Sequence, residues 1–220
     1  LYVRGGGADE NLYLLDGNPV YHVNHLLGFF SAFNPDAIKN TRFYKGSFPA
    51  EYGGRLSSVV DVRMNDGNRQ EYHGNISVGL LSARANLEGP IVKDRSSFNV
   101  SVRRTWLDLI TGTALAIINK NSDTKESFGY HFFDINAKVN HSFSERSRAY
   151  LSFYMGQDAF RQGSKEKHED SDDLFLWRWG NLIGSAGWNY VSGQKLFGNL
   201  MVGYSRFRSH IRQEAKGYEI

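Results

Sequence analysis

His22 and His25 stand three positions apart with Asp16 and Asn24 nearby, a donor set that could hold a divalent metal. No further ligand follows at a clear spacing, and the stretch has no helical period to bring both imidazoles to one face. The segment is read as a solvent-exposed loop with no metal. Arg4–Asn11 reads RGGGADEN and offers glycines of the kind that cradle phosphates. It lacks the G-x-G-x-x-G spacing and the helix that would follow, so it is read as a turn using positive φ. The run Lys165–Asp173 has carboxylates enough for calcium, without the glycine and spacing of a calcium loop, and is read as a solvated loop.

Other chemistries find less support. The 220 residues include no cysteine, which removes disulfides, thiolate metal sites and thiol nucleophiles. There is no G-x-S-x-G elbow and no pair of carboxylates placed for acid–base work, so no catalytic residue, no cofactor and no enzyme are expected. A net charge of +3 with mixed signs gives no reason to expect nucleic acid. Trp106, Trp177, Trp179, Trp188 and Tyr190 fall near the ends of extended segments. They fit either the aromatic girdle of a membrane barrel or a sugar-stacking surface.

The elements that carry these residues are of two textures. Residues 1–66 form short apolar runs broken by Gly, Asn and Pro, a small α+β unit. Leu12–Leu15 reads as a strand closed by an Asp16-Gly17 turn. Asp36–Lys39 reads as one helical turn capped by Asp36, and Arg42–Lys45 and Ser58–Met64 as strands. From Tyr72 onward the period becomes two. Phe98, Val100 and Val102 oppose Ser97, Asn99, Ser101 and Arg103, and the segments 133–140, 148–155, 182–188 and 196–204 repeat the rule. Arg104 and His141 fall on the apolar parity, which suits only a position near an interface.

The longest strictly apolar run is Ala114–Ile118, far short of a transmembrane helix, and a mean hydropathy of −0.47 leaves a barrel open. Tight connections at Lys93–Ser96, Ser144–Ser147 and Ser192–Lys195 alternate with long ones at Leu107–Gly129 and Arg161–Asp173. That alternation matches barrels with short periplasmic turns and long outer loops. Counting parity requires a further fold-back around Leu81-Ser82-Ala83. Seven strands result, roughly 72–80, 84–91, 97–106, 130–143, 148–160, 174–191 and 196–212. Seven is too few and odd for a closed single-chain barrel. The chain also opens at Leu1 in mid-strand without a leader, and it is expected to be a piece of something longer.

Four motifs in order carry a resemblance over about sixty residues: Val3-Arg4-Gly5, Leu15-Asp16-Gly17, Tyr44-Lys45-Gly46, and Glu51-Tyr52-Gly53-Gly54 running into Val59–Met64. Together they resemble the second half of the plug domain of TonB-dependent outer-membrane receptors, closest to Bacteroidetes-type members. The resemblance implies a mainly β fold, with a plug segment at 1-66 and the first antiparallel strands of an incomplete transmembrane β-barrel at 67-220. It implies structural roles for Gly5, Asp16, Gly17, Gly46, Tyr52, Gly53 and Gly54. It makes Arg4 and Lys45 a latch to glutamates on later strands, with Lys45 offering a point charge where the family more often has arginine. His22, Asn24 and His25 would then lie near the solute-binding face.

The same resemblance implies import of a scarce solute across the Gram-negative outer membrane, driven through TonB acting on an N-terminal segment that precedes this chain. Outer-membrane lipid, an unidentified solute and a surface lipoprotein are the other implied partners. Iron chelates, cobalamin, glycans and peptides share the scaffold, so the solute is not specified. Two alternatives stay open: a binding or signalling receptor without net transport, and a soluble β-rich carbohydrate-binding module.

Overall fold

The computed structural model describes residues 2–166, 172–193 and 195–216. The small unit comes first. β1 (Asn11–Leu15) turns at Asp16-Gly17 into β2 (Asn18–Pro19), and a two-stranded ribbon of β3 (Asn24–His25) and β4 (Phe30–Ser31) follows. A 3-10 turn at Pro35–Ala37 leads into β5 (Ile38–Tyr44), and β6 (Ser58–Met64) completes a four-stranded sheet of order β2-β1-β6-β5. The cap of that 3-10 turn is Asn34, whose side chain accepts from the Asp36 amide, rather than Asp36 itself. β1 and β6 run parallel, Leu15 opposite Val62, which the intervening forty-odd residues permit and a hairpin would not.

Seven antiparallel strands then run in chain order: β7 (His73–Val78), β8 (Ser82–Val92), β9 (Ser96–Thr105), β10 (Thr124–Ser144), β11 (Ser147–Glu166), β12 (Asp172–Ser192) and β13 (Leu196–Lys216). The fold-back before β8 lies at residues 79–81, slightly earlier than the sequence reading placed it. The two long connections also differ from expectation. Between β9 and β10 lies a helix, α1 (Leu107–Ile118), and β10 and β11 extend well beyond the spans read from alternation, whereas β12 keeps close to its expected span. At 20–21 residues these strands are about twice the length a bilayer requires. The outer halves carry Thr, Lys, Glu and Ser on both faces, so their alternation fades while their pairing continues through Thr124↔Glu166. The centre of the charged run, residues 167–171, lies outside the described residues.

The faces of this sheet are reversed relative to a soluble β protein. Asn99, Ser101, Asp134 and Asn136 are buried, at 0–3% exposure, whereas Val102, Leu151, Leu200 and Val202 on the opposite face are 43–64% exposed. The polar face curves around the small unit. Tyr154 and Ile183 of the sheet enter one apolar cluster with Leu15, Val20, Ala32, Val62 and Met64 of the small unit. Arg104 and His141, the two exceptions to apolar parity, sit at strand ends and are partnered: Arg104 with Asp108 at 2.9 Å, and His141 Nδ1 with Ser96 Oγ at 2.7 Å.

Candidate functional site

The ribbon β3–β4 presses His25 onto the inner face of the large sheet. Inward-facing positions of β10 and β11 place Asp134 and Asp158 on either side of its ring. Nε2 lies 2.9 Å from Asp134 Oδ1, and Nδ1 lies 2.7 Å from Asp158 Oδ2. The imidazole stacks on Phe132, ring centroids 4.2 Å apart and nearly parallel. From β9, Arg103 donates to Asp134 Oδ2 through Nε at 2.8 Å and to the Ser31 carbonyl at 2.7 Å, with its guanidinium 5.0 Å from the centroid of the Phe132 ring. Tyr154 donates to Asp134 Oδ1, Tyr130 donates to Asp158, and the Leu26 amide donates to the Tyr130 hydroxyl at 2.6 Å.

Burial disfavours a charged imidazole, but hydrogen bonds to Asp134 and Asp158 outweigh it and hold the His25 pKa up at about 9. At neutral pH both ring nitrogens therefore donate. Two cations, His25 and Arg103, face two carboxylates, and the buried group closes without net charge. A buried ionic set of this kind tolerates the loss of no single member, because the remaining charges would be left unpaired in a low dielectric.

A second ionic contact lies nearer the short turns. Lys138 of β10 points inward to Asp16 at 3.3 Å, to Asp66 at 3.1 Å and to the Met64 carbonyl at 3.1 Å, while Asp16 Oδ1 accepts the Met64 amide. Lys138, with Lys39 on its other oxygen, holds the Asp66 carboxyl below its usual range against the opposing effect of burial. Asp16 thus has two tasks: it shapes the turn with Gly17 at φ 82°, and it supplies a counter-charge to Lys138 of the large sheet. The turn itself is wedged against β12 and β13. Asn18 donates to Ser185, Ser205 donates to the Pro19 carbonyl, and a Cβ added at Gly203 would fall 1.5 Å from Asn18 Oδ1.

The expected site residues fall in different places. Among the three loop residues, Asn24 is exposed, His22 is half-buried against Trp179 and Phe207, and His25 is buried, not at an open apex. Desolvation lowers the His22 pKa, and its backbone is clasped by Asn181, whose amide donates to the His22 carbonyl at 2.7 Å. Arg4 is exposed, with its guanidinium over Gly46, and Lys45 lies above the Phe43 ring at 5.7 Å. Tyr52 donates to Asp61 at 3.4 Å beside Tyr44, and burial together with the Asp61 charge pushes its hydroxyl up to about 12. Gly5, Gly46 and Gly54 take positive φ, while Gly53 does not. In the RGGGADEN turn the Gly7 amide is met by Glu10 of the same loop at 3.0 Å, where a phosphate reading would need it open.

Arg103, Asp134, Lys138 and Asp158 are not singled out by motif. Their one signal is shared parity: each is a charge on the polar face of a long alternating strand, and a charge there needs a partner inside.

Residues 1–60 match the model of the TonB-dependent Receptor Plug Domain family. Solved structures similar to the chain include two siderophore receptors. The siderophore receptor PirA from Acinetobacter baumannii is 15% identical, with a TM-score of 0.48, over 96% of this chain and 42% of that one. The siderophore receptor PirA from Pseudomonas aeruginosa is 16% identical, with a TM-score of 0.42, over 96% of this chain and 45% of that one. The chain spans less than half the length of either. No curated protein sequence matches it. Residues 1–60, the unit that carries Asp16 and His25, thus match the plug domain of TonB-dependent receptors and are seated against seven strands of the same chain.

Proposed function

We propose that the chain forms plug and wall of an outer-membrane receptor that binds a scarce solute at the cell surface and passes it to the periplasm using energy from TonB. The division falls at residues 66 and 67 in this reading, with plug before and transmembrane barrel after. The observation that carries it is the inverted sheet: an apolar face turned outward at Val102, Leu151 and Val202, and a polar face closed on the plug at Asn99, Asp134 and Asn136. Water gives no reason to expose the first set and bury the second; a hydrocarbon surround does.

Import then requires the plug to shift against the wall. The His25 and Lys138 clusters, with the Arg84–Asp36 pair at 3.0 Å, are charged contacts that such a shift must break. Arg4 and Lys45 remain available for the latch to other strands, and Asn24, with His22 beside it, is the exposed part of the loop for solute contact. Outer-membrane lipid surrounds the wall, and a surface lipoprotein would meet the long-loop end.

The native absence of cysteine allows a direct test. Single replacements Leu151→Cys and Val202→Cys are expected to resist a water-soluble maleimide in intact outer membranes, and Asn24→Cys to react. Ready labelling of Leu151→Cys and Val202→Cys in membranes would overturn the barrel reading. Solute accumulation that stops when TonB is removed, while surface binding persists, supports transport over a binding or signalling role. Binding and accumulation both unchanged without TonB would remove the import step.

A further inference from the structure

α1 joins two strands from the middle of the sheet: β9 lies between β8 and β10, and β10 between β9 and β11. Of its twelve residues, LDLITGTALAII, Asp108 alone is charged and none is buried. Leu109, Ile110, Ile117 and Ile118 are 47–72% exposed. A helix apolar on every side belongs inside a protein or in lipid, and this one is not inside. Its first turn sits on the outward side of the wall. Asp108 meets Arg104 at 2.9 Å and His131 at 3.4 Å, both on the parity of the outward Val102 and Ile135. A Cβ added at Gly129, on the same parity, would lie 3.7 Å from that of Asp108. Trp106 continues the outward row of Val100, Val102 and Arg104, so α1 begins where the apolar belt ends.

The polar groups around this helix are turned to partners within the chain. β9 stops at Thr105 while β10 runs on to Thr124, which leaves the outer end of β10 without a strand on that side. Side chains take the strand's place. Thr105 Oγ1 accepts the Phe132 amide at 3.0 Å, and Thr111 donates to the Phe128 carbonyl at 3.0 Å. The Asn119 amide donates to the Glu126 carbonyl at 2.6 Å and accepts the Glu126 N–H at 2.9 Å. Water would fill an open sheet edge; lipid cannot, and an edge beside it must be closed by protein. Thr113, on the exposed side of α1, turns its hydroxyl back to the Leu109 carbonyl at 2.8 Å, and the Trp106 indole donates to the Leu80 carbonyl at 2.7 Å. The sequence turns polar again at Lys120-Asn121-Ser122-Asp123. We infer that α1 lies in the outer boundary between lipid headgroups and acyl chains, with Leu109 and Ile110 set among the acyl chains and Lys120 in water. Lipid is the occupant because the outward row Phe98, Val100, Val102 leads into α1 with only the Arg104–Asp108 pair between. The inference rests on the transmembrane reading above.

The test uses the full receptor in phosphatidylcholine vesicles, as the single-cysteine variants Leu109→Cys, Ile117→Cys, Lys120→Cys and Leu151→Cys, each carrying a fluorophore. Quenching by nitroxide-bearing lipids is compared with quenching by aqueous iodide. A nitroxide at the headgroup end of the acyl chain is expected to quench the probe at 109 about threefold more than the probe at 120, with 117 between them. Iodide should reverse that order. The probe at 151, in the belt, should respond most to a nitroxide near the end of the acyl chain. All four positions are exposed, and thermal unfolding unchanged from the parent confirms that folding is intact. A probe at 109 reached by iodide as readily as the one at 120 would overturn the lipid site. A probe at 109 shielded from iodide and nitroxide alike would overturn it too, and assign the face to a protein partner. Quenching from lipid at 151 but not at 109 sinks the α1 site alone. Quenching at neither sinks the transmembrane reading with it.

Discussion

His25 of the plug and Asp134 of the wall are 109 residues apart in sequence and 2.9 Å apart in space, with both side chains almost wholly buried. A plug that leaves the wall must separate this pair and expose, or strand, both charges. In the proposed import reading the contact sets a threshold for plug movement as well as a place in the fold.

Its pH dependence has a definite sign. His25 is held above its ordinary value of 6.5, at about 9, so its contribution is fully present below pH 6.5 and is lost as pH rises through 9. The window is worth on the order of 3 kcal/mol. Protection of the amides around β3 and β4 against hydrogen exchange, taken relative to the intrinsic rate at each pH, should be highest at pH 6, lower at pH 8 and lowest near pH 10. A flat profile across that range would contradict the assignment of His25 as imidazolium.

Replacing Asp134 by Asn should weaken plug docking more than replacing a surface residue. It removes the charge and one of the two oxygens that accept from His25, Arg103 and Tyr154, puts an N–H donor in its place, and leaves two cations facing one carboxylate. Removing one member of a buried ionic set costs about 3–5 kcal/mol. Limited proteolysis of the plug in the detergent-purified receptor would register this as earlier cleavage at residues 20–35. Arg103→Met in the Asp134→Asn background should recover part of the loss.

Lys138→Met should destabilise at neutral pH by about 3 kcal/mol, because Asp16 and Asp66 then face each other without the cation between them. The deficit should shrink on acidification. Asp66 is held below its ordinary value in the native protein, so its stabilising part exists above pH 3.8 and is lost as pH falls through the depressed value. Urea midpoints of parent and variant should converge toward pH 3.

Gly203→Val tests the wedge formed by the Asp16–Pro19 turn. The new side chain would overlap the Asn18 amide, so Asn18 must give up its hydrogen bond to Ser185 or the turn must back away from β13. A loss of about 1–3 kcal/mol is expected, reduced when Asn18→Gly accompanies it. No rescue by Asn18→Gly would mean the strain is taken up elsewhere.

Leu151→Arg tests the outward face. In water the change is nearly silent for a residue 64% exposed. In a bilayer, a cation at mid-belt costs about 2–4 kcal/mol. Chemical unfolding from vesicles should show that difference, and the same variant in detergent a smaller one.

Period-two alternation is a local property, which is why Phe98-Val100-Val102 and Ala149-Leu151-Phe153 announce their strands without help from the rest of the chain. The Leu15-Asp16-Gly17 turn and the strand Ser58–Met64 are legible for the same reason: turn chemistry and β-branched runs act over a few residues. The outer ends of β10 and β11 were not, because their polar residues on both faces carry no period and only pairing with a neighbour keeps them extended. Alternation also says that Asn99 and Val100 point opposite ways, but not which of them meets solvent. That was decided by the plug, which fills the polar side and leaves the apolar side outward. The His25 site belongs wholly to the second kind of information. A histidine in a glycine-rich loop, an arginine on β9 and two aspartates on β10 and β11 have no shared spacing. They become one buried ionic group only when curvature of the sheet brings three strands around one ribbon.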